Sequence, residues 1–344
     1  MAEFTLAVVL FSDSAGANLR VLRRVEQLPI RLLLIGPPLT IALGFAAGYL
    51  VLDGMSLFAI ALLATMPAPT DAALGKAVVT NENVPDGVRQ GLNVASGLND
   101  GICVPVLLIF LALATTTIDG AETVGMDFRL PLQEVGIGAL VGLSLAVLGG
   151  MAIRCCSKRG WITGSWVQLP VIAQALLCFG LAQRLDGSGF IPSFVGGLVF
   201  GSLTPEHKEE VLRGAEGTGD AISLITWFTF GAVVIGPQIP LLTWRVAVYA
   251  VLSLTVVRML PVMLCLAGTK QQLDTKLFLG WFGPRGLASV VFAVMVAAEN
   301  LPENETLIAT VTWTVVLSIV AHGLSANPLA KIYGDRVKNR GGAT

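Results

Sequence analysis

The sequence predicts an all-α polytopic membrane protein, because of its composition, its apolar runs and the placement of its basic residues. Of its 344 residues, 54% are hydrophobic and only 13% are charged, and the mean hydropathy is +0.76. Soluble domains carry about 25% charged residues. This composition therefore favours a chain that crosses a lipid bilayer several times.

Apolar runs separated by polar or helix-breaking residues define the predicted spans, since a helix of about 20 apolar residues crosses the hydrocarbon core. The pattern indicates about ten and a half transmembrane spans. The half span covers 3–19, and the others cover 28–51, 55–75, 91–114, 135–153, 167–184, 189–203, 220–237, 242–267, 277–298 and 305–325.

Lys and Arg concentrate in alternate loops, such as those at 20–31, 76–89 and 331–340. Cytoplasmic loops are enriched in basic residues, so this asymmetry predicts an integral multi-pass protein with a cytoplasmic C terminus. The expected location is the plasma (inner) membrane. The opposite loops hold Arg129, Arg184 and Arg245.

Several function classes find no support in the composition. The net charge is −1, and no basic patch with interleaved aromatic residues indicates a nucleic-acid partner. The five cysteines lack metal-binding spacing, and the only histidines, His207 and His322, lie far apart. We therefore expect no cofactor and no resident metal.

Two acidic residues stand inside or beside apolar runs. Asp100 follows Asn99 within a run that is otherwise apolar from 98 to 114, and Asp71 ends the preceding run. A carboxylate inside the bilayer costs roughly 2.5–3.5 kcal/mol on insertion scales, so it usually serves a function. A cation or proton site is the leading interpretation; a buried Asp that only bridges helices is the alternative.

Two of the predicted spans contain helix breakers. Pro67 and Pro69 interrupt 55–75 just before Asp71, and the segment 283–286, Gly-Pro-Arg-Gly, interrupts 277–298. Paired broken helices in the two halves of a transporter mark a binding site near the bilayer midplane. The breaks therefore predict that Asp71 lies close to such a site.

Four segments resemble the motifs of monovalent cation/proton antiporters of the NhaP/NHE type. They follow one another in the family's order and span essentially the whole chain. They are Ala-Pro-Thr-Asp-Ala-Ala-Leu-Gly at 68–75, Ala-Ser-Gly-Leu-Asn-Asp-Gly at 95–101, Gly-Pro-Arg-Gly-Leu-Ala-Ser at 283–289 and Ala-His-Gly-Leu-Ser-Ala-Asn-Pro-Leu at 321–329.

The resemblance implies an inverted-repeat transporter with two crossed discontinuous helices and elevator-like alternating access. It implies a single transmembrane domain over 1–344, with a core bundle at about 28–114 and 242–325. A dimer or scaffold bundle is expected at about 1–27 and 154–237. The chain lacks roughly two spans that the family carries ahead of 3–19, so we expect an N-terminally shortened member, and a homodimer if those spans exist.

The resemblance also assigns site residues. Asp100 matches the carboxylate that exchanges cation and proton, so no catalytic residue is expected. Its companions in the cation and proton site are Asn99, Thr70, Asp71, Ser96 and Asp13. Arg258 and Arg285 match intramembrane arginines. For Arg285, two interpretations stay open: it neutralises helix dipoles at the crossing, or it hydrogen-bonds to loop carbonyls.

The chemistry of these residues agrees with exchange. Na⁺ and Li⁺ are hard cations that prefer carboxylate, hydroxyl and carbonyl oxygens, and the transported ion is the only metal expected at Asp100 and Asp71. Ser96 and Asp100 are four residues apart and share one face of a helix. Burial disfavours a bare carboxylate, so proton and cation compete for it.

The favoured function is exchange of Na⁺, or else Li⁺ or K⁺, for protons. An inactive, truncated, channel-like or regulatory descendant of the family is the alternative. An intramembrane enzyme is a third hypothesis, but no nucleophile motif accompanies Ser96 and His322.

One departure from the motif generates a prediction. The family's acid at the start of the second motif is Ala95 here, which would leave Arg258 without its partner. Stranding one member of a buried ion pair typically costs about 3–5 kcal/mol. Ala95→Glu is therefore expected to raise the thermal unfolding temperature in detergent. An unchanged or lower temperature would mean that Arg258 is already paired.

Overall fold

The described part of the chain is all-helical in a computed structural model that covers residues 2–17, 28–118, 129–161, 169–204 and 208–341. The predicted basic loop residues Arg20, Arg23 and Arg24 lie outside these ranges. Each predicted span coincides with a helix or with a pair of helices separated by a break. The chain is an integral, multi-pass membrane protein.

The described residues of the first half form seven helices. They are α1 (Ala2–Gly16), α2 (Leu28–Leu34), α3 (Gly36–Val51), α4 (Leu57–Thr65), α5 (Lys76–Val79), α6 (Asp86–Ile118) and α7 (Arg129–Lys158). Ser56 caps the N-terminus of α4, since its hydroxyl accepts a hydrogen bond from the Ala59 amide at 3.2 Å. Pro67 and Pro69 prevent α4 from continuing into α5.

The second half begins with α8 (Leu169–Arg184), α9 (Phe190–Leu203) and α10 (Lys208–Thr229). A π-helical segment, Phe230–Val234, joins α10 to α11 (Ile235–Gln238). The remaining helices are α12 (Trp244–Leu254), α13 (Val256–Cys265), α14 (Leu273–Trp281), α15 (Leu287–Ala298) and α16 (Asn304–Gly341).

Among the described residues, six helical stretches are long and apolar enough to cross a membrane. Three shorter apolar helices are α8, α9 and α15. The six stretches are Leu28–Val51, Asp86–Thr115, Leu132–Cys156, Gly214–Gln238, Trp244–Cys265 and Asn304–Arg340.

Two parts of the chain repeat the same order of elements. Residues 28–118 form a bent helix, an interrupted helix and a long helix, and residues 244–341 repeat this order. The second unit starts an odd number of predicted spans after the first, so the two run in opposite directions through the bilayer. The predicted inverted repeat with two discontinuous helices is confirmed, α4–α5 and α14–α15 being the interrupted pairs.

The packing separates these units from a second group of helices. Helix α1 packs against α8, α9 and α10, and α9 also packs against α7. Helix α12 packs on α16, and α3 packs on α4. Helix α1 also contacts α6 and α15, so the boundary between the two groups runs beside Asp100 and the second break.

Gly286 permits the closest approach of the two breaks. A Cβ atom at position 286 would overlap the Asp71 carboxylate and its Cβ. Overpacking of this kind costs about 1–3 kcal/mol. We expect Gly286→Ala to lower the free energy of unfolding by that amount, measured by thermal or denaturant unfolding in detergent.

Gly180→Ala is the matched control for this substitution. Gly180 lies within α8, and a Cβ atom added there would meet no heavy atom within 4 Å, so Ala should be neutral or slightly stabilising. Equal stability of the two variants would contradict the close contact between Gly286 and Asp71.

Candidate functional site

The two broken helices meet at their interruptions. The Asp71 amide donates a hydrogen bond to the Pro284 carbonyl at 2.8 Å. In the opposite direction, the Arg285 guanidinium donates to the carbonyls of Ala68 at 2.8 Å and Pro69 at 3.3 Å. Each break therefore supplies hydrogen-bonding groups that the other break needs.

Arg285 is completely buried and carries its charge to the end of α4. Its other terminal nitrogen donates to the Ser253 carbonyl at 3.3 Å. The C-terminal end of a helix carries a partial negative charge and unsatisfied carbonyls. Hydrogen bonding to loop carbonyls, one of the two interpretations of Arg285, is present, and it places the guanidinium where it can also offset the α4 dipole.

The Asp71 carboxylate is occupied by backbone amides. One oxygen accepts from Ala73 at 2.8 Å and Leu74 at 3.0 Å, and the other accepts from Leu287 at 2.9 Å. Leu287 is the first residue of α15, whose N-cap position, Gly286, has no side chain. Asp71 thus caps α15 from another part of the chain, since helix N-termini favour a negative charge.

Thr70, Ser96 and Asn99 form a hydrogen-bonded group that ties α6 to the first break. The hydroxyls of Thr70 and Ser96 are 3.0 Å apart. The side-chain amide of Asn99 donates to Thr70 Oγ1 at 2.6 Å, and the backbone amide of Thr70 donates to Asn99 Oδ1 at 3.2 Å. All three are buried and satisfy one another, and none lines the cavity described below.

Asp100 differs from these residues because its carboxylate makes no hydrogen bond to any described part of the protein. The residue is 8% exposed, and its Oδ1 is closed off from the surface without a partner. A buried acceptor left unsatisfied typically costs about 1–3 kcal/mol. Such an exception in a folded protein needs an explanation, and a role in binding is one.

A cavity of about 730 Å³ leads to Asp100. Asp13 of α1 and Asp71 of the first break line it with Asp100, so the structure brings these three predicted acids to one space. The cavity walls come from α1 and α10 on one side and from α5 and α6 on the other. Its acidic lining residues are Asp13, Asp71, Asp86, Asp100, Glu216 and Asp220, and its basic ones are Lys76 and Arg89.

Sequence reasoning missed the contribution of α10 to this cavity. The predicted span began at 220, whereas the helix begins at Lys208, and Glu216 and Asp220 lie in its middle turns. Asp220 forms an exposed ion pair of 3.2 Å with Lys76 across the mouth. No local signal indicates that pairing, because the partners are far apart in sequence.

Arg258 is the second buried guanidinium. It is 6% exposed, and within the described ranges it makes no hydrogen bond and no ion pair. A Cβ atom at position 283 would overlap its guanidinium, so Gly283 gives it room beside the second break. The stabilising effect of Ala95→Glu stays a prediction, and Ala95→Gln is its uncharged control of the same shape.

Comparison with known sequences identifies the family of this chain. The profile described as "Sodium/hydrogen exchanger, transmembrane" matches residues 1–332. The Na(+)/H(+) antiporter of Schizosaccharomyces pombe is 25% identical over 320 residues, which cover 83% of this chain and 67% of that protein. The K(+)/H(+) antiporter NhaP2 of Shewanella oneidensis is 22% identical over 341 residues, covering 96% and 57%.

The K(+)/H(+) antiporter NhaP of Alkalimonas amylolytica is 23% identical over 276 residues, which cover 78% of this chain and 46% of that protein. The chain thus spans about half to two thirds of the length of these relatives. Among solved structures, the sodium proton antiporter MjNhaP1 from Methanocaldococcus jannaschii superposes with a TM-score of 0.75 at 20% identity, covering 96% of this chain and 84% of that one. The fold is therefore the one seen in MjNhaP1, and the match of the family profile over 1–332 shows that this chain belongs to the transmembrane sodium/hydrogen exchanger family.

Proposed function

We propose that the protein exchanges a monovalent cation for protons across the membrane by alternating access, with Asp100 as the shared carboxylate. The observation that carries this proposal is that Asp100 is buried at the cavity end and makes no hydrogen bond within the described residues. Asp71, by contrast, already accepts three backbone amides. Asp100 thus has more free capacity for a ligand than Asp71.

Competition at one carboxylate supplies the coupling. A bare carboxylate is disfavoured in a poorly solvated place, so Asp100 is stable with a proton or with a cation. Binding of one excludes the other. If the empty charged site does not cross the membrane, each cation that moves one way requires a proton to move the other way.

The cavity is suited to bring cations to Asp100. Its acidic lining residues outnumber the basic ones, and a cleft lined by one sign of charge raises the local concentration of the opposite ion. Lys76 and Arg89 line the cavity together with these acids. In this proposal, the side of the membrane that holds these two basic residues is cytoplasmic by the positive-inside rule, and the C terminus lies on the same side. The membrane is the plasma (inner) membrane.

The division of the helices suggests how the site changes sides. In this proposal the core bundle, about 28–114 and 242–325, carries Asp100 past the scaffold bundle, about 1–27 and 154–237. The cavity lies at their boundary, with Asp13 on the scaffold side. The Lys76–Asp220 ion pair spans the same boundary and would break during the movement. The homodimer implied by the family resemblance belongs to this proposal as well.

Thr70, Ser96 and Asn99 position the site in this proposal. They hold α6 against the first break, and Thr70 and Asn99 are the sequence neighbours of Asp71 and Asp100. None of the three lines the cavity, so in this proposal their oxygens support the site and do not contact the cation in this state. Na⁺ is the first candidate, and K⁺ and Li⁺ are to be compared with it, since relatives are named as Na(+)/H(+) and as K(+)/H(+) antiporters.

Arg258 favours a second candidate function. This buried guanidinium lies beside the second break without a described partner, and an unpaired buried charge is destabilising. We would expect an active exchanger to contain a partner for it. A channel-like or regulatory descendant of the family tolerates it. Ion currents without coupled proton movement would support that alternative.

Purified protein in proteoliposomes tests the proposal. With a pH-sensitive dye inside, addition of Na⁺, K⁺ or Li⁺ outside should drive proton movement by the native chain. Asp100→Asn removes the titrating group and should reduce that movement to the level of empty liposomes. The dye signal compared across the three cations also gives the selectivity.

Asp186→Asn is the matched control for Asp100→Asn. Asp186 lies outside the cavity lining, and its backbone has φ of 56°, a left-handed conformation that Asn adopts readily. This variant should transport like the native chain. Full exchange by Asp100→Asn would remove Asp100 from the mechanism.

A further inference from the structure

His322 lies at the second break and makes contacts that the exchange mechanism above does not use. It is buried in the middle of α16, 4% exposed, and both ring nitrogens have partners. Its Nε2 is 2.8 Å from the Trp281 carbonyl. A carbonyl oxygen only accepts hydrogen bonds, so Nε2 must be the donor in this contact.

The Trp281 carbonyl marks the beginning of the break. Trp281 is the last residue of α14, and its carbonyl also accepts from the Gly283 amide at 2.8 Å. Terminal carbonyls of a helix lack partners within the helix. The His322 imidazole is therefore the second donor to the Trp281 carbonyl, and the backbone leaves helical geometry after this residue.

The other side of the imidazole reaches the end of the same break. With its proton on Nε2, the neutral imidazole accepts at Nδ1 from the Ser318 hydroxyl, 3.1 Å away, and makes no hydrogen bond to the Ser318 carbonyl, which lies 2.8 Å from Nδ1. The Ser318 hydroxyl in turn accepts from the Arg285 amide at 2.7 Å. One imidazole and one hydroxyl on successive turns of α16 thus hold Trp281 and Arg285, the two ends of the break.

The held segment contains the groups that meet the first break. The Pro284 carbonyl receives the Asp71 amide, the Arg285 guanidinium binds the Ala68 carbonyl, and the Leu287 amide binds the Asp71 carboxylate. A small shift of the chain between Trp281 and Arg285 would alter all three contacts together.

We propose that His322 is a positioning residue for the cation site: with Ser318 it clamps both ends of the second break, and thereby sets the Arg285 and Leu287 contacts to the first break. The transport test of this proposal rests on the exchange function proposed above, whereas the structural test by hydrogen–deuterium exchange does not. His322 touches neither the cavity nor any of its lining acids.

Three variants separate the clamp from simple packing. His322→Phe keeps a ring against Trp281, whose ring centroid is 5.2 Å away, but removes both hydrogen bonds. His322→Gln keeps an N–H donor at about the distance of Nε2 and can restore the bond to the Trp281 carbonyl. Ser318→Ala removes the acceptor of the Arg285 amide and leaves His322 in place.

Ser325→Ala is the matched control. Ser325 also joins α16 to α14, because its hydroxyl accepts from the Trp281 indole N–H at 2.9 Å. It lies one turn from His322 but touches no backbone group of the break. Loss of that hydrogen bond loosens the same two helices without releasing the clamp.

Hydrogen–deuterium exchange in detergent is the first readout, and the initial exchange rate in proteoliposomes at saturating cation is the second. His322→Phe should speed deuteration of the segment 282–291 and reduce the transport rate on the order of tenfold, because the Trp281 carbonyl and the Ser318 hydroxyl each lose a buried partner. His322→Gln should recover most of both. Ser325→Ala should stay within about twofold of the native chain, because the hydrogen bond it loses is only partly buried and holds the Trp281 indole, not the backbone of the break.

Two outcomes overturn the clamp: unchanged deuteration of 282–291 in His322→Phe, or equal defects in His322→Gln and His322→Phe. If His322→Phe does not fold, Ser318→Ala decides, since it should speed deuteration of the same segment, and native protection would overturn the proposal. If the native chain shows no transport, the proposed exchange function is refuted, whereas the deuteration test of the clamp remains valid.

Discussion

The site depends on a reciprocal contact between two interrupted helices. Arg285 carries a buried positive charge to the carbonyls at the end of α4, and Asp71 carries a negative charge to the amide at the start of α15. Each helix end attracts the charge that the other break supplies. Without the Arg285 guanidinium, the carbonyls of Ala68 and Pro69 would lose this donor inside the protein.

The remaining polar groups follow from this contact. Because Asp71 is used as a cap and Thr70, Ser96 and Asn99 satisfy one another, little binding capacity is left near the crossing. Asp100 is the exception, with a buried oxygen that has no described partner. The two acids thus differ in their contacts: the Asp71 carboxylate accepts three backbone amides at the crossing, whereas Asp100 keeps a buried oxygen without a described partner.

Much of this could be predicted from the sequence, because the signals are local. Prolines at 67 and 69 and the Gly-Pro-Arg-Gly segment at 283–286 disfavour a continuous helix, and acids within apolar runs are conspicuous. The use of Asp71 as a cap could not be predicted, since it depends on Leu287, which is distant in sequence. For the same reason the sequence did not indicate that His322 holds Trp281, or that Glu216 lines the cavity.

The central claim is that Asp100 holds either a proton or a cation. Proton release measures this directly: purified protein in weakly buffered detergent, with a pH dye, receives NaCl or KCl, and choline chloride serves as the ionic control. Cation binding should displace the proton and acidify the solution, and Asp100→Asn should abolish this release. Cation binding without proton release, or undiminished release from Asp100→Asn, would contradict the claim.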